Sequence, residues 1–220
     1  ASIPLLFDVQ QAVEAVRWCV DNGLRAVMIP TLWGEHPPYH HTRYNPFWEV
    51  CEDLGVIVHF HSGPAPHPEY FGKDWPVEDS SEQLPGAMGV YVSEVMWWLY
   101  RPLTFMIWGG VFERYPRLKT VIVEGGTMFM LPPWLRLLDH NYRDVQFSAK
   151  LGDFRAHLSM APSDYYHRNV AIGASCVPRA DLDLREAIGT GQIMWGSDYP
   201  HPEGTWPNTM KALHDTFGEY

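Results

Sequence analysis

The chain has 220 residues, of which 46% are hydrophobic and 19% are charged, a composition that excludes a wholly disordered chain and suits one large globular domain or two small ones. The formal net charge is −10 and no basic residues cluster, so a nucleic-acid backbone is excluded as a partner. The three widely spaced cysteines are neither a disulfide framework nor a zinc knuckle, and they indicate a reducing, cytoplasmic setting; they are Cys19, Cys51 and Cys176.

Short apolar runs alternate with helical periods along the chain. The predicted strands are residues 3–7, 26–30, 56–61, 118–123, 169–173 and 193–196. The predicted helices are residues 9–22, 47–54, 89–100, 103–114, 128–143, 179–188 and 207–217. Gly23 and Gly55 end the first two helices, because glycine readily takes the left-handed conformation that closes a helix. The long connection 62–86 is of a kind that is often functional.

The most apolar stretch, residues 88–110, predicts a buried helix pair that Pro102 divides. It also carries Glu94 and Arg101, which argues against a membrane span. Because its surface is apolar on most sides, we expect residues 90–100 to be buried, within the domain or against a second subunit. A homo-oligomer is therefore a possible assembly.

The alternation of apolar strands and helices predicts an α/β fold with a parallel sheet. An open doubly wound sheet and a (β/α)-barrel both fit, but no glycine-rich phosphate loop follows any strand. His61, Glu124 and Asp198 each come at the end of a predicted strand. In a barrel such strand ends share one rim that carries the chemistry, so we favour the barrel and expect these three residues on that rim.

His59 and His61 are separated by one residue, so both side chains lie on one face of their strand. Imidazole suits zinc and similar ions, which makes His61 a candidate metal ligand and His59 a candidate for substrate contact or support of a ligand. The alternative is a pair of hydrogen-bonded core histidines.

Glu124 follows three β-branched residues and precedes two glycines. A carboxylate at such a place is costly if it is buried without a partner. It is a candidate metal ligand, general base or hydrogen-bond acceptor, and the alternative is a salt bridge to a loop arginine.

Asp198 lies in a turn that Pro200 and Pro202 stiffen. A carboxylate there can bind a metal and accept a proton from metal-bound water. The alternative is a turn-capping aspartate. His201, in the same turn, is a candidate for substrate contact or ligand support, whereas the histidine-rich residues 34–41 are expected to form a solvated loop or a substrate lid.

Three segments together resemble the amidohydrolase-2 family, which includes relatives of aminocarboxymuconate-semialdehyde decarboxylase. They are GVIVHFHSG at 55–63, GGVFERYPRLKTVIVEGG at 109–126 and WGSDYPHP at 195–202. The resemblance implies one (β/α)8 barrel domain over residues 1–220 that holds a divalent metal, most often zinc. It implies that His61 and Asp198 bind the metal and that Asp198 and Glu124 are catalytic. Glu124 stands where the decarboxylase branch has a histidine.

The family's first strand carries a His-x-His or related motif, and no such motif precedes Ile3. We therefore expect about six of the eight strands here, an N-terminally incomplete domain and weak metal binding by this chain alone. The family implies a metal-dependent hydrolase or carbon–carbon lyase, decarboxylase- or hydratase-like, acting on a small, carboxylated or aromatic-derived substrate. The ion would polarise the substrate or its bound water. The alternative, from a different class of function, is a catalytically silent barrel that serves as a binding or assembly module. A serine hydrolase is excluded by the lack of a GxSxG motif.

Overall fold

The computed structural model describes residues 1–31, 34–61, 68, 87–125, 128–144, 150–174, 177–202 and 204–218. Two compact units make up the chain, Ala1–Thr120 and Val121–Tyr220. Within the described ranges, no helix combines the length and the apolar character needed to cross a bilayer.

Helices and strands alternate in both units. The first unit contains α1 (Val9–Asp21), β1 (Ala26–Ile29), α2 (Asn45–Leu54), β2 (Ile57–His61), α3 (Ala87–Trp108) and α4 (Val111–Arg114), with a short 3-10 helix at Thr42–Tyr44. β3 (Thr120–Val123) begins at the last residue of the first unit. The second unit continues with α5 (Leu131–Arg143), α6 (Pro162–Asn169), β4 (Val170–Ala174), α7 (Arg185–Ile188), β5 (Ile193–Trp195) and α8 (Thr209–Phe217), and has 3-10 helices at Met128–Met130, Arg179–Leu184 and Thr190–Gln192.

The described strands form one sheet in the order β1-β2-β3-β4-β5. β1 runs parallel to β2, and β4 runs parallel to β5. The Val58 amide donates to the Lys119 carbonyl (3.0 Å) just before β3, and the Gly125 amide donates to the Gly173 carbonyl (2.9 Å) just after it. Strand order that follows chain order, with a helix in most connections, is the pattern of (β/α) folds, so the predicted α/β class is confirmed.

Helix α1 shows how local sequence sets the element boundaries. The Asp8 carboxylate caps its start by accepting a hydrogen bond from the Gln11 amide (2.9 Å). Gly23 follows its end with φ of 81°, as the sequence predicts. Its buried residues recur every three or four positions and pack near α2; they are Ala12, Val16 and Cys19.

The predicted strand at residues 3–7 is wrong. A single parallel bridge joins Ser2, just before this run, to Met28, and the chain then turns at residues 5–7 into α1. Pro4 has no backbone N–H and so cannot extend the ladder. The apolar character of this run instead reflects Leu5 and Leu6, which are fully buried in the turn.

The predicted break at Pro102 is also wrong, because α3 continues through it to Trp108. Leu99, Tyr100 and Leu103 are buried around the proline. Packing of these large side chains offsets the hydrogen bond that a proline removes from a helix interior, a cost of about 3 kcal/mol.

Burial of residues 90–100 is confirmed only at the end of that range. Leu99 and Tyr100 are buried, whereas Val90 is 47% exposed and Trp97 is 48% exposed. The apolar composition of residues 90–100 predicted a helix correctly. Within a single chain, however, the first half of this range does not face a core.

Residues 34–41 are exposed or half-buried except for Tyr39, so the predicted solvated loop is anchored to the first unit at that residue. The Tyr39 side chain is fully buried, and its hydroxyl donates to the Pro30 carbonyl. The His40 ring stacks on Phe105 with 5.2 Å between ring centroids. Gly109 makes this approach possible, because a Cβ there would lie 2.0 Å from the His40 Cβ and 2.7 Å from the Phe105 carbonyl oxygen.

We therefore expect Gly109→Ala to destabilise the protein by about 1–3 kcal/mol, since both clashing atoms are close to the backbone and cannot move away easily. Gly89→Ala is the matched control in the same region of the chain. A Cβ at Gly89, inside α3, would meet nothing within 4 Å, so alanine should stabilise the helix by up to about 1 kcal/mol. Urea unfolding of both variants measures the difference, and equal effects of the two substitutions would contradict this account of the 34–41 loop.

Candidate active site

His61 is the last residue of β2, and His59 lies two positions before it. Along β2, Val58 and Phe60 are buried while His59 and His61 are half-buried, so the two histidines share the less buried face as predicted. Burial lowers the pKa of His59, which favours the neutral imidazole that can accept a hydrogen bond or bind a metal.

Glu124 directly follows β3 and is half-buried. Its neighbour Gly125 is closely packed, because a Cβ there would lie 2.6 Å from Cγ1 of Ile172. The hydrogen bond from the Gly125 amide to the Gly173 carbonyl holds this segment against β4 near the end of that strand. Gly126, the second glycine of the motif, lies outside the described residues.

Asp198 follows β5 at the start of a closed loop, Ser197 to Thr205. The Thr205 amide donates to the Ser197 carbonyl (2.9 Å), which joins the two ends of the loop. The His201 amide donates to the Asp198 carbonyl (2.7 Å), which makes a tight turn at the carboxylate itself. Gly204 is needed for closure, because a Cβ there would lie 2.8 Å from the carbonyl oxygens of both Ser197 and Asp198.

His201 lies beside the Asp198 carboxylate. Its Nδ1 is 3.6 Å from Oδ2 of Asp198, and the Asp198 side chain is 22% exposed while that of His201 is 53% exposed. This distance is longer than a direct hydrogen bond.

Glu124 and Asp198 share an uncommon backbone conformation. Their φ values are 53° and 57°, and among the described non-glycine residues only these two have a positive φ. A left-handed residue with a side chain costs about 1–2 kcal/mol. Such strain persists where the surrounding structure enforces it, and it concentrates at functional sites. The two carboxylates chosen from the sequence are therefore also the two strained positions.

The predicted residues occupy the carboxyl ends of their own strands: His61 ends β2 in the first unit, while Glu124 follows β3 and Asp198 follows β5 in the second. Their placement on one common rim stays a prediction. The closing residues Gly204 and Thr205 were missed by sequence reasoning, since a glycine and a threonine in a proline-rich segment carry no signal that distinguishes loop closure from an ordinary turn.

The cysteines lie away from these strand ends. Cys19 and Cys51 are free and buried, and burial raises the pKa of the Cys51 thiol, so Cys51 is a poor nucleophile. Cys176 lies outside the described residues.

The candidate ligands are of the types that bind divalent metals, but there are too few of them for a complete site. Imidazole and carboxylate are ordinary ligands of such ions. In the part of the chain that the structure describes, however, no group of three or more His, Cys, Asp or Glu side chains could hold an ion. A catalytic zinc site typically takes three protein ligands, and the candidates His61 and Asp198 supply two.

The loop around Asp198 gives a testable consequence. Gly204→Ala forces a side chain against two backbone carbonyls, so we expect the loop to open at a cost of about 1–3 kcal/mol. Gly191→Ala is the control in the same unit, because a Cβ there meets nothing within 4 Å. Thermal unfolding should show that Gly204→Ala is less stable than Gly191→Ala. Equal stability of both variants would show that the loop does not depend on Gly204.

Because the backbone at Glu124 is strained, we expect glycine to give a more stable protein than alanine at this position, the reverse of the order in a helix. Glycine adopts a positive φ freely, so Glu124→Gly should be more stable than Glu124→Ala by about 1 kcal/mol. At Glu186, within α7, the same pair should show the reverse order by about 1 kcal/mol. Chemical denaturation of all four variants measures both differences, and an alanine preference at both positions would contradict the strain.

Known proteins resemble this chain in sequence and in fold. A curated relative, the 2-amino-3-carboxymuconate-6-semialdehyde decarboxylase of Dictyostelium discoideum, is 27% identical over 159 residues, which is 72% of this chain and 39% of that protein. The amidohydrolase structure from Mycobacterium avium subsp. paratuberculosis matches 99% of this chain and 52% of its own, with a TM-score of 0.76 and 22% identity. The chain thus spans about half or less of the length of these two proteins.

A third comparison is the 5-carboxyvanillate decarboxylase of Sphingomonas paucimobilis, which matches 95% of this chain and 58% of its own at a TM-score of 0.68 and 24% identity. A dihydroxybenzoic acid decarboxylase from Polaromonas, solved with bound manganese, matches at a TM-score of 0.64 and 18% identity over 96% of this chain and 60% of its own. These structural similarities support the (β/α) fold of the chain. The amidohydrolase family model matches residues 1–219, and the chain therefore belongs to the amidohydrolase family.

Proposed function

We propose that the chain carries catalytic residues of a metal-dependent carbon–carbon lyase or hydrolase that acts on a small, carboxylated, aromatic-derived molecule. The observation that carries the proposal is the pair of carboxylates, Glu124 and Asp198, each held in a left-handed backbone conformation after a strand of an amidohydrolase-family fold. Backbone strain of this kind concentrates at functional sites, which favours a role in binding or chemistry.

Asp198 is the residue that moves a proton. Its carboxylate is partly exposed, so a substrate can reach it, and the closed Ser197–Thr205 loop fixes its backbone. The imidazole of His201, whose Nδ1 lies 3.6 Å from Oδ2 of Asp198, is a neighbouring group that can carry a proton. A positioned carboxylate of this kind typically contributes about 10²–10⁴-fold to a rate.

Glu124 orients the substrate or a water molecule. By resemblance, the decarboxylase branch has a histidine at this position, and a histidine can both donate and accept hydrogen bonds. An ionised glutamate only accepts, so Glu124 would hold a hydroxyl or water through its protons. This difference leaves decarboxylation, hydration and hydrolysis as outcomes that the experiment separates.

His61 and Asp198 are the proposed metal donors, with His59 in support of His61. Zinc is the ion that the donor types favour. Manganese is the alternative, since the Polaromonas decarboxylase was solved with that ion. Localisation to the cytoplasm remains part of the proposal on the strength of the cysteine content.

The test is turnover of carboxylated aromatics, with 2,6-dihydroxybenzoate and 5-carboxyvanillate as probes, in the presence of Zn²⁺ or Mn²⁺. We expect metal-dependent release of CO₂ or formation of a hydrated or hydrolysed product. Asp198→Asn and Glu124→Gln should each lower kcat by about 100-fold or more. Glu186→Gln is the control, because its side chain is 82% exposed in the same unit and should leave kcat unchanged.

The same experiment separates an enzyme from a binding module. Calorimetric binding of a carboxylated probe without any turnover would favour the silent barrel and contradict the proposal. Turnover that is unchanged in Asp198→Asn would place the chemistry elsewhere in the chain.

A further inference from the structure

An apolar cavity opens beside the carboxyl end of β1 in the first unit. Its volume is about 260 Å³, and its walls include Pro4, Phe7, Met28 and Pro30. Among the described residues that line it, only Ser2 has a polar side chain. Burying an ionised group among apolar side chains is costly, so the cavity suits an uncharged, apolar part of a ligand and not a carboxylate.

The size of the cavity matches one ring. Engineered apolar cavities of about 150 Å³ bind benzene, and cavities for drug-sized ligands start at about 300 Å³. A volume of about 260 Å³ therefore accommodates a single six-membered ring with a small substituent.

The register of the sheet places this cavity next to the candidate histidines. Ser2 bridges to Met28, and Met28 is paired with His59 on β2. Side chains paired in this way lie on the same face of a sheet, on strands about 4.8 Å apart. His61 lies two positions beyond His59 and so shares that face. The wall that Met28 forms therefore adjoins the two histidines, and all of these residues belong to the first unit.

Two of the wall residues favour an aromatic ring over a saturated one. The Phe7 ring contacts the His36 ring edge-to-face, with 5.0 Å between ring centroids and 82° between planes. This contact fixes the Phe7 side chain and still leaves Phe7 52% exposed, so a further ring can pack against it. The thioether of Met28 is the second such group, because sulfur makes favourable contacts with aromatic rings.

We propose that this cavity binds the aromatic ring of a single-ring ligand, with any carboxylate of that ligand outside the cavity on the His59–His61 side. The inference rests on the proposed function for the identity of the ligand as substrate. It restricts the substrate class to molecules with one aromatic ring that has an edge without charged substituents, since that edge must enter the cavity.

The experiment uses a matched pair of neutral probes, benzyl alcohol and cyclohexylmethanol, which differ in whether the ring is aromatic. The whole chain is labelled with ¹³C at its nine methionine methyl groups, and Met28→Leu identifies the Met28 resonance by its loss. Benzyl alcohol should shift that resonance with a dissociation constant of about 1 mM, as expected for a ligand of this size. Cyclohexylmethanol should bind about fivefold more weakly, because it lacks the ring contacts with Phe7 and Met28.

Two variants test the walls of the cavity. Ser2→Phe places a ring in the cavity and should abolish the binding of benzyl alcohol. Phe7→Ala removes an aromatic wall and should raise the dissociation constant by about fivefold. Trp18→Ala is the control, since Trp18 is a 61% exposed aromatic residue on α1 and does not line the cavity. Ser2 and Phe7 are both exposed, and urea unfolding verifies that their variants are folded.

The probes carry no carboxylate and the titration contains no metal, so the result is independent of the proposed chemistry. Ring binding in a chain that turns over no carboxylated aromatic would refute the proposed function and leave the ring site intact. Turnover in a chain that binds neither probe would refute the ring site alone. A carboxylated aromatic that is turned over should displace benzyl alcohol from the Met28 methyl group.

Other outcomes would also overturn the proposal. A Met28 resonance that benzyl alcohol does not shift would show that the cavity holds no ring. Equal affinity for the two probes would show a general apolar site without preference for an aromatic ring. Unchanged binding in Ser2→Phe would place the probe elsewhere, and a substrate that leaves benzyl alcohol bound would separate the cavity from the reaction.

Discussion

Parallel strand pairing is the constraint on which the candidate site depends. In a parallel ladder every strand runs the same way, so residues that follow paired strands emerge at the same edge. The ladder between β1 and β2 determines where the histidines of the first unit emerge, and that between β4 and β5 does the same for Asp198 in the second. Both faces of such strands are normally covered, so polar side chains are confined to the strand ends. This is why His61, Glu124 and Asp198 stand out among apolar neighbours.

Strong local signals made most of the fold predictable. The β-branched run before His61 and the one before Glu124 both form strands, and Gly23 and Gly55 both take the left-handed conformation expected of them. Failures occurred where packing overrides local preference. Pro102 stays inside a helix because its neighbours are buried, and residues 3–7 turn because Leu5 and Leu6 are covered without strand pairing. The short helix α6 was missed because its eight residues carry too little apolar periodicity.

The residue types of the candidate site could be predicted from the sequence, but the backbone conformation at those residues could not. A histidine or carboxylate after an apolar strand is visible in the sequence, because burying such a group without a partner is costly. Left-handed backbone at Glu124 and Asp198 is not visible, since neither residue type requires it. The loop closure through Gly204 depends on contacts between residues that are several positions apart, which local patterns do not encode.

The presence of a glutamate after β3, where the decarboxylase branch has a histidine, affects which reaction the proposed site can support. Decarboxylation replaces a carboxylate with a hydrogen atom, so some group must deliver a proton to carbon. A histidine at this position could share that task, whereas an ionised glutamate has no proton to donate. Proton delivery in the proposed site therefore needs a group other than Glu124, and the His201 imidazole, 3.6 Å from the Asp198 carboxylate, can carry a proton. Hydrolysis makes a different demand, because water must first lose a proton, and there a second carboxylate is an advantage.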